Sequence, residues 1–379
     1  MKFRLLPCLL AFFLCIGVST ATRADEAPLE AARHLAQWQL AHQDIPIKSS
    51  RFPEEAARAN AWQQAAFWIG MTALADHLPQ DAWISRSIMA MGEKEKWRVG
   101  PRVYHADDQP AGQVYVWAAE HGAGTAALAP FRAHLDAILA HPPLVGLAFY
   151  EAKSGVECQK RWCWSDALFM APPGWIALSR ATGDPRYRRY ALAEFRRTAA
   201  FLYDPAEHLF YRDSRFFERR DEKGRKVFWS RGNGWVFASL ARIIPMLPAG
   251  DPDRQWMEEL FRQMAARLIE IQKPDGYWAP SLLAPEGSPP ETSGSSFFTY
   301  GLAWGVHVGL LDRTRYEPAA KRGWKALLRA IQPDGRLGYV QMISDRPDDV
   351  SASDTQFYGV GGFLLAATAV ADMEEQTQR

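Results

Sequence analysis

The chain has 379 residues, 48% hydrophobic and 12% aromatic, and its 44 Lys and Arg nearly balance 43 Asp and Glu to leave a net charge of +1. That balance argues against nucleic acid and against a charged membrane surface, since either partner needs a basic patch to meet it. The 15 Trp, 12 Tyr and 20 Phe exceed what a core alone requires and suit a protein that stacks aromatic faces on sugar rings.

The first residues read as an export signal. Met1 to Arg4 is basic, Leu5 to Val18 is apolar, and Ala21-Thr22-Arg23-Ala24 offers a small-residue cleavage site. Residues 1–24 are therefore set apart from the fold, and the expected location is periplasmic or secreted. No later segment holds 18 uncharged apolar residues in a row, so no membrane span is expected after the signal. Cys8 and Cys15 leave with the signal, and Cys158 and Cys163 remain, spaced to form a local disulfide in an oxidising compartment. Residues 25–379 carry no Ser/Gly-rich linker and read as a single catalytic domain.

Along that domain the pattern is helical from Ala31 to Ala41 onward, with little strand-like alternation. A recurring unit follows, in which a polar loop leads into small residues and then an apolar, aromatic-rich helix. Six copies are present. Asn60-Ala61-Trp62 precedes Ala65 to Met71, Asp107 to Pro110 precedes Ala111 to Trp117, and Ser165-Asp166 precedes Ala167 to Leu178. Arg231 to Gly234 precedes Trp235 to Met246, Glu291 to Ser296 precedes Phe297 to Leu311, and Ser353 to Gln356 precedes Phe357 to Ala371.

Outer helices with one polar face lie between them: Arg186 to Tyr203, Gln255 to Gln272 and Glu317 to Ile331. Six inner and six outer helices predict an all-α (α/α)6 barrel. Inner helices running the same way would place Asn60, Asp107, Asp108, Asp166, Arg231, Asn233, Glu291 and Asp354 around one mouth, with positive dipole ends that suit an anionic ligand. Two Pro-Asp-Gly turns close outer helices and make Asp275 and Asp334 turn residues. Gly359 to Gly362 reads as close helix packing, and His307 as a satisfied core histidine.

Three stretches could carry chemistry. Asp166 stands between two tryptophans and an apolar run, with no Lys or Arg from Trp162 through Ser179. Such burial raises a carboxyl pKa and lets it hold a proton near neutrality, as a general acid must. The alternative is that Ser165 or Asp166 merely caps the helix. In Trp229-Ser230-Arg231-Gly232-Asn233-Gly234-Trp235 the glycines permit unusual backbone angles and close approach, Arg231 offers a fork for a carboxylate, and the tryptophans offer stacking faces. The alternative there is a tight helix start with a structural ion pair. In His105-Ala106-Asp107-Asp108 the acids either cap or serve as a second carboxylate, at most one of them facing a pocket, and His105 reads as a local hydrogen-bonding partner. No metal-ligand spacing is present.

These motifs resemble the unsaturated glycuronyl hydrolases, glycoside hydrolase family 105 in particular. The similarity is carried by Trp164 to Met170, Thr182 to Tyr187, Leu209 to Asp213, Trp229 to Trp235, and Glu291 to Gly294 followed by Phe298 to Gly305, in order over nearly the whole chain. The resemblance implies an (α/α)6 enzyme, with no cofactor or metal, that removes a 4,5-unsaturated uronic acid from lyase-generated oligosaccharides. An acid protonates carbon 4, water adds at carbon 5, and the hemiketal falls apart to release the next sugar. It implies Asp166 as general acid/base and Asp107 or Asp108, Asp107 slightly favoured, as the second carboxylate. Trp164, Trp229, Arg231, Asn233 and Trp235 are then substrate-binding candidates. Arg212 stands where well-known members have a substrate-contacting histidine, which points to a more anionic fragment, such as a sulfated or ulvan-derived one. Three alternatives stay open: an inverting glycosidase that pairs Asp166 with Asp107 or Glu291, a polysaccharide lyase on the same toroid, and a periplasmic sugar-binding protein without turnover.

Overall fold

The computed structural model describes residues 26–152 and 155–378; the expected signal at 1–24 lies outside them. In chain order the helices are α1 (Pro28–Ala41), α2 (Asp44–Ser49), α3 (Pro53–Ala56), α4 (Trp62–His77), α5 (Ala82–Lys94), α6 (Ala111–Ala118), α7 (Ala129–Ala140), α8 (Ala167–Met170), α9 (Pro172–Thr182), α10 (Pro185–Leu202), α11 (Ser230–Ile243), α12 (Pro252–Glu270), α13 (Thr292–His307), α14 (Arg313–Ala330) and α15 (Phe357–Gln378). Two short antiparallel hairpins interrupt them, β1 (Glu151–Ala152) with β2 (Gly155–Val156) and β3 (Tyr203–Asp204) with β4 (Leu209–Phe210).

The inner ring runs α4, α6, α9, α11, α13, α15 and closes where α15 packs back on α4. Helices α1, α5, α7, α10, α12 and α14 form the outer layer, giving the expected (α/α)6 barrel. Composition sorts the two layers. Of α4, Gln63 through Thr72 is buried without a break, whereas α10 buries a stripe of Tyr187, Ala191, Leu192, Phe195, Thr198, Ala199 and Leu202 and sends its arginines outward. Outer helices α10, α12 and α14 start on Asp184, Asp251 and Asp312, each accepting a backbone N–H of the first turn, a cap worth about 1 kcal/mol. Gly183, at φ 72°, ends α9 just before Asp184 caps α10.

The seam between the last and first inner helices depends on Gly361 and Gly70, while Gly359 and Gly362 pack against Val340 and Phe297. A Cβ on Gly361 would stand 2.1 Å from the Ala66 carbonyl oxygen, and one on Gly70 would stand 2.6 Å from the Gly361 oxygen. Side chains at either place would hold the ring open. His307 ends α13, half-buried rather than deep in the core, with Nδ1 bonded to the Asp372 carbonyl oxygen at 3.0 Å. Asp275 and Asp334 accept backbone N–H groups of Tyr277 and Arg336 in their turns, as expected.

Several helix starts differ from the sequence expectation. Helix α11 starts at Ser230, so Arg231, Gly232, Asn233 and Gly234 belong to its first turn rather than to a preceding loop. Its glycines serve packing: a Cβ on Gly232 would meet Ser165 Oγ at 2.8 Å, and one on Gly234 the Cα of Gly294 at 3.2 Å. Helix α13 likewise begins at Thr292, with Glu291 as its cap. The segment after Asp166 is two helices, α8 and α9, broken ahead of Pro172-Pro173.

Candidate active site

The N-terminal ends of α4, α6, α8 and α11 supply Trp62, Asp107, Asp166, Trp229 and Arg231 to one cavity of about 960 Å³. Its inner wall is closed by Trp164, Met170, His105 and Gln159, and its outer part by two chain segments, 51–58 and 343–346. Seven arginines and five carboxylates line it.

Asp166 stands at the N-cap position immediately before α8, yet its side chain caps nothing. Instead Oδ2 accepts from Ser165 Oγ at 3.1 Å and lies 3.7 Å from Arg212 Nε. Burial pushes its carboxyl above the ordinary range despite the opposing pull of Arg212, Arg231 and the Ser165 hydroxyl. Asp107 faces the same cavity and is pushed up to about 7, first by burial and then by the neighbouring Asp166, against Arg102 and Arg212. The backbone N–H of Asp107 donates to His105 Nδ1 at 3.2 Å. Burial and Arg102 push His105 down to about 4, so it is a neutral imidazole whose acceptor nitrogen holds the Asp107 backbone, and its ring leans on Trp164 with centroids 5.1 Å apart.

Asp108 must be removed from the site. It is 1% exposed and bound by Arg102 through Nε and Nη2, both at 2.9 Å, and through the Arg102 backbone N–H at 2.6 Å. Successive side chains on a short helical turn diverge, so one of the two acids was bound to turn away. Asn233 and Trp235 likewise serve the fold rather than facing the cavity. Asn233 pins β4 to α11, accepting from Phe210 N–H at 2.7 Å and donating to Phe210 O at 2.9 Å and Trp229 O at 3.0 Å. Trp235 is fully buried beneath the cavity among Phe169, Phe297 and Tyr358. Glu291 spends both oxygens on Ser293 and Gly294 as a cap and is unexposed, which takes it out of any two-carboxylate pair. Asn60 donates to Arg98 O, and Asp354 accepts from Ser351.

Arg231 does reach the cavity, but its terminal nitrogens are committed. Nη1 donates to Gln341 O at 2.7 Å and Nη2 to Met342 O at 2.9 Å, while the guanidinium sits 4.3 Å from the Trp229 ring and 4.7 Å from Tyr358. It thereby anchors the loop ahead of α15, helped by Trp229 Nε1, which donates to Gln341 Oε1 at 2.9 Å. Arg212 is differently placed. Nη1 donates to Asp213 at 2.7 Å, and Nε is buried without a hydrogen-bond partner beside Asp166. Burial works to raise Asp213, but the Arg215 and Arg212 guanidinia outweigh it and keep the carboxylate ionised as an anchor for both.

The Cys158–Cys163 disulfide forms, closing the loop that carries Gln159 to the cavity and leads into Trp164. Arg102, Gln159, Arg215 and the segments at 51–58 and 343–346 were not singled out from sequence as cavity residues. Only Arg215, three positions past Arg212 in a basic-acidic run, carried any signal. Among the described residues no group of three or more His, Cys, Asp or Glu stands ready to hold a metal ion, and no helix is long and apolar enough to cross a membrane.

Residues 31–374 match Glycosyl Hydrolase Family 88. The chain belongs to that family. The resemblance of the motifs to the unsaturated glycuronyl hydrolases is borne out by this match and by the relatives below. As a family 88 member the chain is 40% identical, over 92% of its length and 85% of the relative's, to a protein of Alteromonas sp. named unsaturated 3S-rhamnoglycuronyl hydrolase. A family 88 glycosyl hydrolase from Bacteroides vulgatus superposes with a TM-score of 0.78 at 26% identity, covering 92% of this chain and all of that one. A protein described as a polysaccharide lyase also superposes at 0.78, with 28% identity over 92% of this chain and 97% of that one.

The arrangement can move a proton at the buried end of the cavity. A carboxyl that burial raises above its ordinary range has a guanidinium at its side, and the cavity around it is large enough for a sugar ring and a water molecule.

Proposed function

We propose that this family 88 enzyme removes a terminal 4,5-unsaturated uronic acid from lyase-generated oligosaccharides by hydrating its double bond. The observation that carries the reading is Asp166, a carboxyl raised by burial, beside an Arg212 Nε that lacks any protein acceptor. Asp166 gives its proton to carbon 4, and the positive charge that develops at carbon 5 is shared with the ring oxygen. Water adds at carbon 5 and loses its proton to Asp166, which is thereby reset. The hemiketal opens, and the hemiacetal left at carbon 1 expels the next sugar. Asp107 is the second carboxylate, close enough to Asp166 to help keep a proton on the pair.

Arg212, rather than Arg231, is the cation for the uronate carboxylate, because both terminal nitrogens of Arg231 hold the 341–342 backbone, whereas Arg212 commits Nη1 alone, to Asp213. Trp164 and Trp229 line the sugar. The arginine-rich wall favours an anionic leaving sugar, in keeping with the Alteromonas relative, an unsaturated 3S-rhamnoglycuronyl hydrolase, and a sulfated, ulvan-derived fragment is the substrate we favour. The sequence reading of residues 1–24 and the disulfide support a periplasmic or secreted location.

The likeness to a lyase favours one competing reading. A lyase withdraws the proton on carbon 5 and so needs an ionised base, whereas burial works to keep Asp166 and Asp107 protonated. A panel of lyase-generated disaccharides, sulfated and unsulfated, assayed by mass spectrometry for released sugar, tests the substrate: release from sulfated members first is expected, and release from none overturns the reading.

A further inference from the structure

The cavity is larger than a disaccharide needs; about 960 Å³ lies at the upper end of the ~300–1,000 Å³ of ligand pockets. Its inner wall of Trp164, Met170, Trp229 and Arg231 is buried, whereas Arg51, Phe52 and Arg346 are exposed and mark its mouth. These three residues come from opposite ends of the chain. Gln356 Nε2 joins their segments, contacting Pro46 O at 3.4 Å and Ser49 Oγ at 3.2 Å on one side and Met342 Sδ at 3.6 Å on the other.

The mouth arginines differ from the inner ones in having nothing to hold. Arg58, Arg102 and Arg215 are paired with Glu55, Asp108 and Asp213. Arg51 and Arg346 have no ion pair within 4 Å among the described residues; the rim carboxylates near them are the exposed Glu54 and Asp345, which Arg215 holds and Arg346 also attracts. Phe52 is 52% exposed and, among the described residues, is the strongly exposed large apolar side chain that borders this cavity. A flat apolar ring flanked by two free guanidinia is suited to a pyranose that bears an anionic group.

We propose that Arg51, Phe52 and Arg346 form an outer subsite that takes an anionic sugar beyond the leaving sugar, so that longer polyanionic fragments are held more tightly than disaccharides. The subsite rests on the reading of the cavity as a site for oligosaccharides with an unsaturated uronate end. Exposed charge pairs contribute a few-fold each, so two arginines and a stacking face predict about a tenfold preference.

Calorimetric titration of the Asp166→Asn protein with sulfated, lyase-generated di- and tetrasaccharides tests it. The tetrasaccharide is expected to bind about tenfold more tightly, and the ratio should fall close to one when Arg51→Ala and Arg346→Ala, or Phe52→Ala, are added. Equal affinity for both lengths, or a ratio that the added substitutions leave unchanged, overturns the subsite. Binding of neither length overturns it together with the reading on which it rests. Length-dependent binding without turnover by the wild-type enzyme supports the subsite and overturns only the assignment of the reaction.

Discussion

Asp107 carries an energetic cost that the fold alone does not require. Its carboxyl, at about 7 when folded against roughly 3.9 when unfolded, binds more protons in the native state between those values. Its contribution to stability is therefore full below pH ~4 and lost as pH rises through 7. Asp107→Asn should raise the melting temperature at pH 8 and give almost no gain at pH 4; a gain independent of pH would show that the carboxyl is not held protonated. Arg212 is expected to behave as a binding and field residue. Arg212→Gln removes a charge-assisted contact worth about 1.5–3 kcal/mol, so kcat/KM should drop about 10- to 100-fold. Kinetics on one disaccharide would show this, and an unchanged value would exclude Arg212 from contact with substrate. The burial of Asp166 was legible because its own segment is apolar and lacks cations. Arg231 was legible as a companion on the same mouth and Arg212 through the family resemblance; that Arg212, just past β4, is the nearer cation to Asp166 was not, because the two approach through space. The polar residues taken as rim groups divided for the same reason: a sequence shows that Glu291 or Asn233 begins a helix, but not whether backbone N–H groups or a ligand will occupy its side chain.

At the scale of elements, helices were easier to recognise than their first turns. The small-residue runs ahead of α11 and α13 resemble loops when Gly and Ser are weighed as turn formers, yet both are helical because the barrel brings those starts together and only small side chains fit. The same demand made the glycines at 359–362 legible as packing residues. Gly361→Ala should cost about 1–3 kcal/mol by overpacking, since the obstructing atom is the Ala66 backbone oxygen, 2.1 Å from the added carbon, and cannot rotate away. Thermal unfolding measures it, with Gly146→Ala as the comparison, where an added carbon meets nothing within 4 Å. Equal melting temperatures for the two variants would mean that the α4–α15 seam is loose.

At the scale of the whole molecule, the toroid was readable from a sixfold alternation of apolar and amphipathic helices, and the end of the ring that bears the cavity from the polar residues ahead of the inner ones. The outer half of the cavity was not readable. Residues 51–58 and 343–346 have no periodicity, and they meet only because α15 closes on α4 some three hundred positions along the chain. The ring thus builds its inner wall from repeated helix starts and its mouth from short connecting segments that include α3, a division that lets one barrel keep its proton chemistry while the mouth adapts to the fragment it admits. The central claim is that Asp166 adds a proton across a double bond. Ultraviolet absorbance of the conjugated uronate tests it most directly, followed on a lyase-generated disaccharide with wild type and Asp166→Asn: wild type should remove the absorbance as sugar is released, and the variant should be slower by about 10²–10⁴-fold. A rise in absorbance on intact polysaccharide with no loss on the disaccharide, or a variant as fast as wild type, would contradict it.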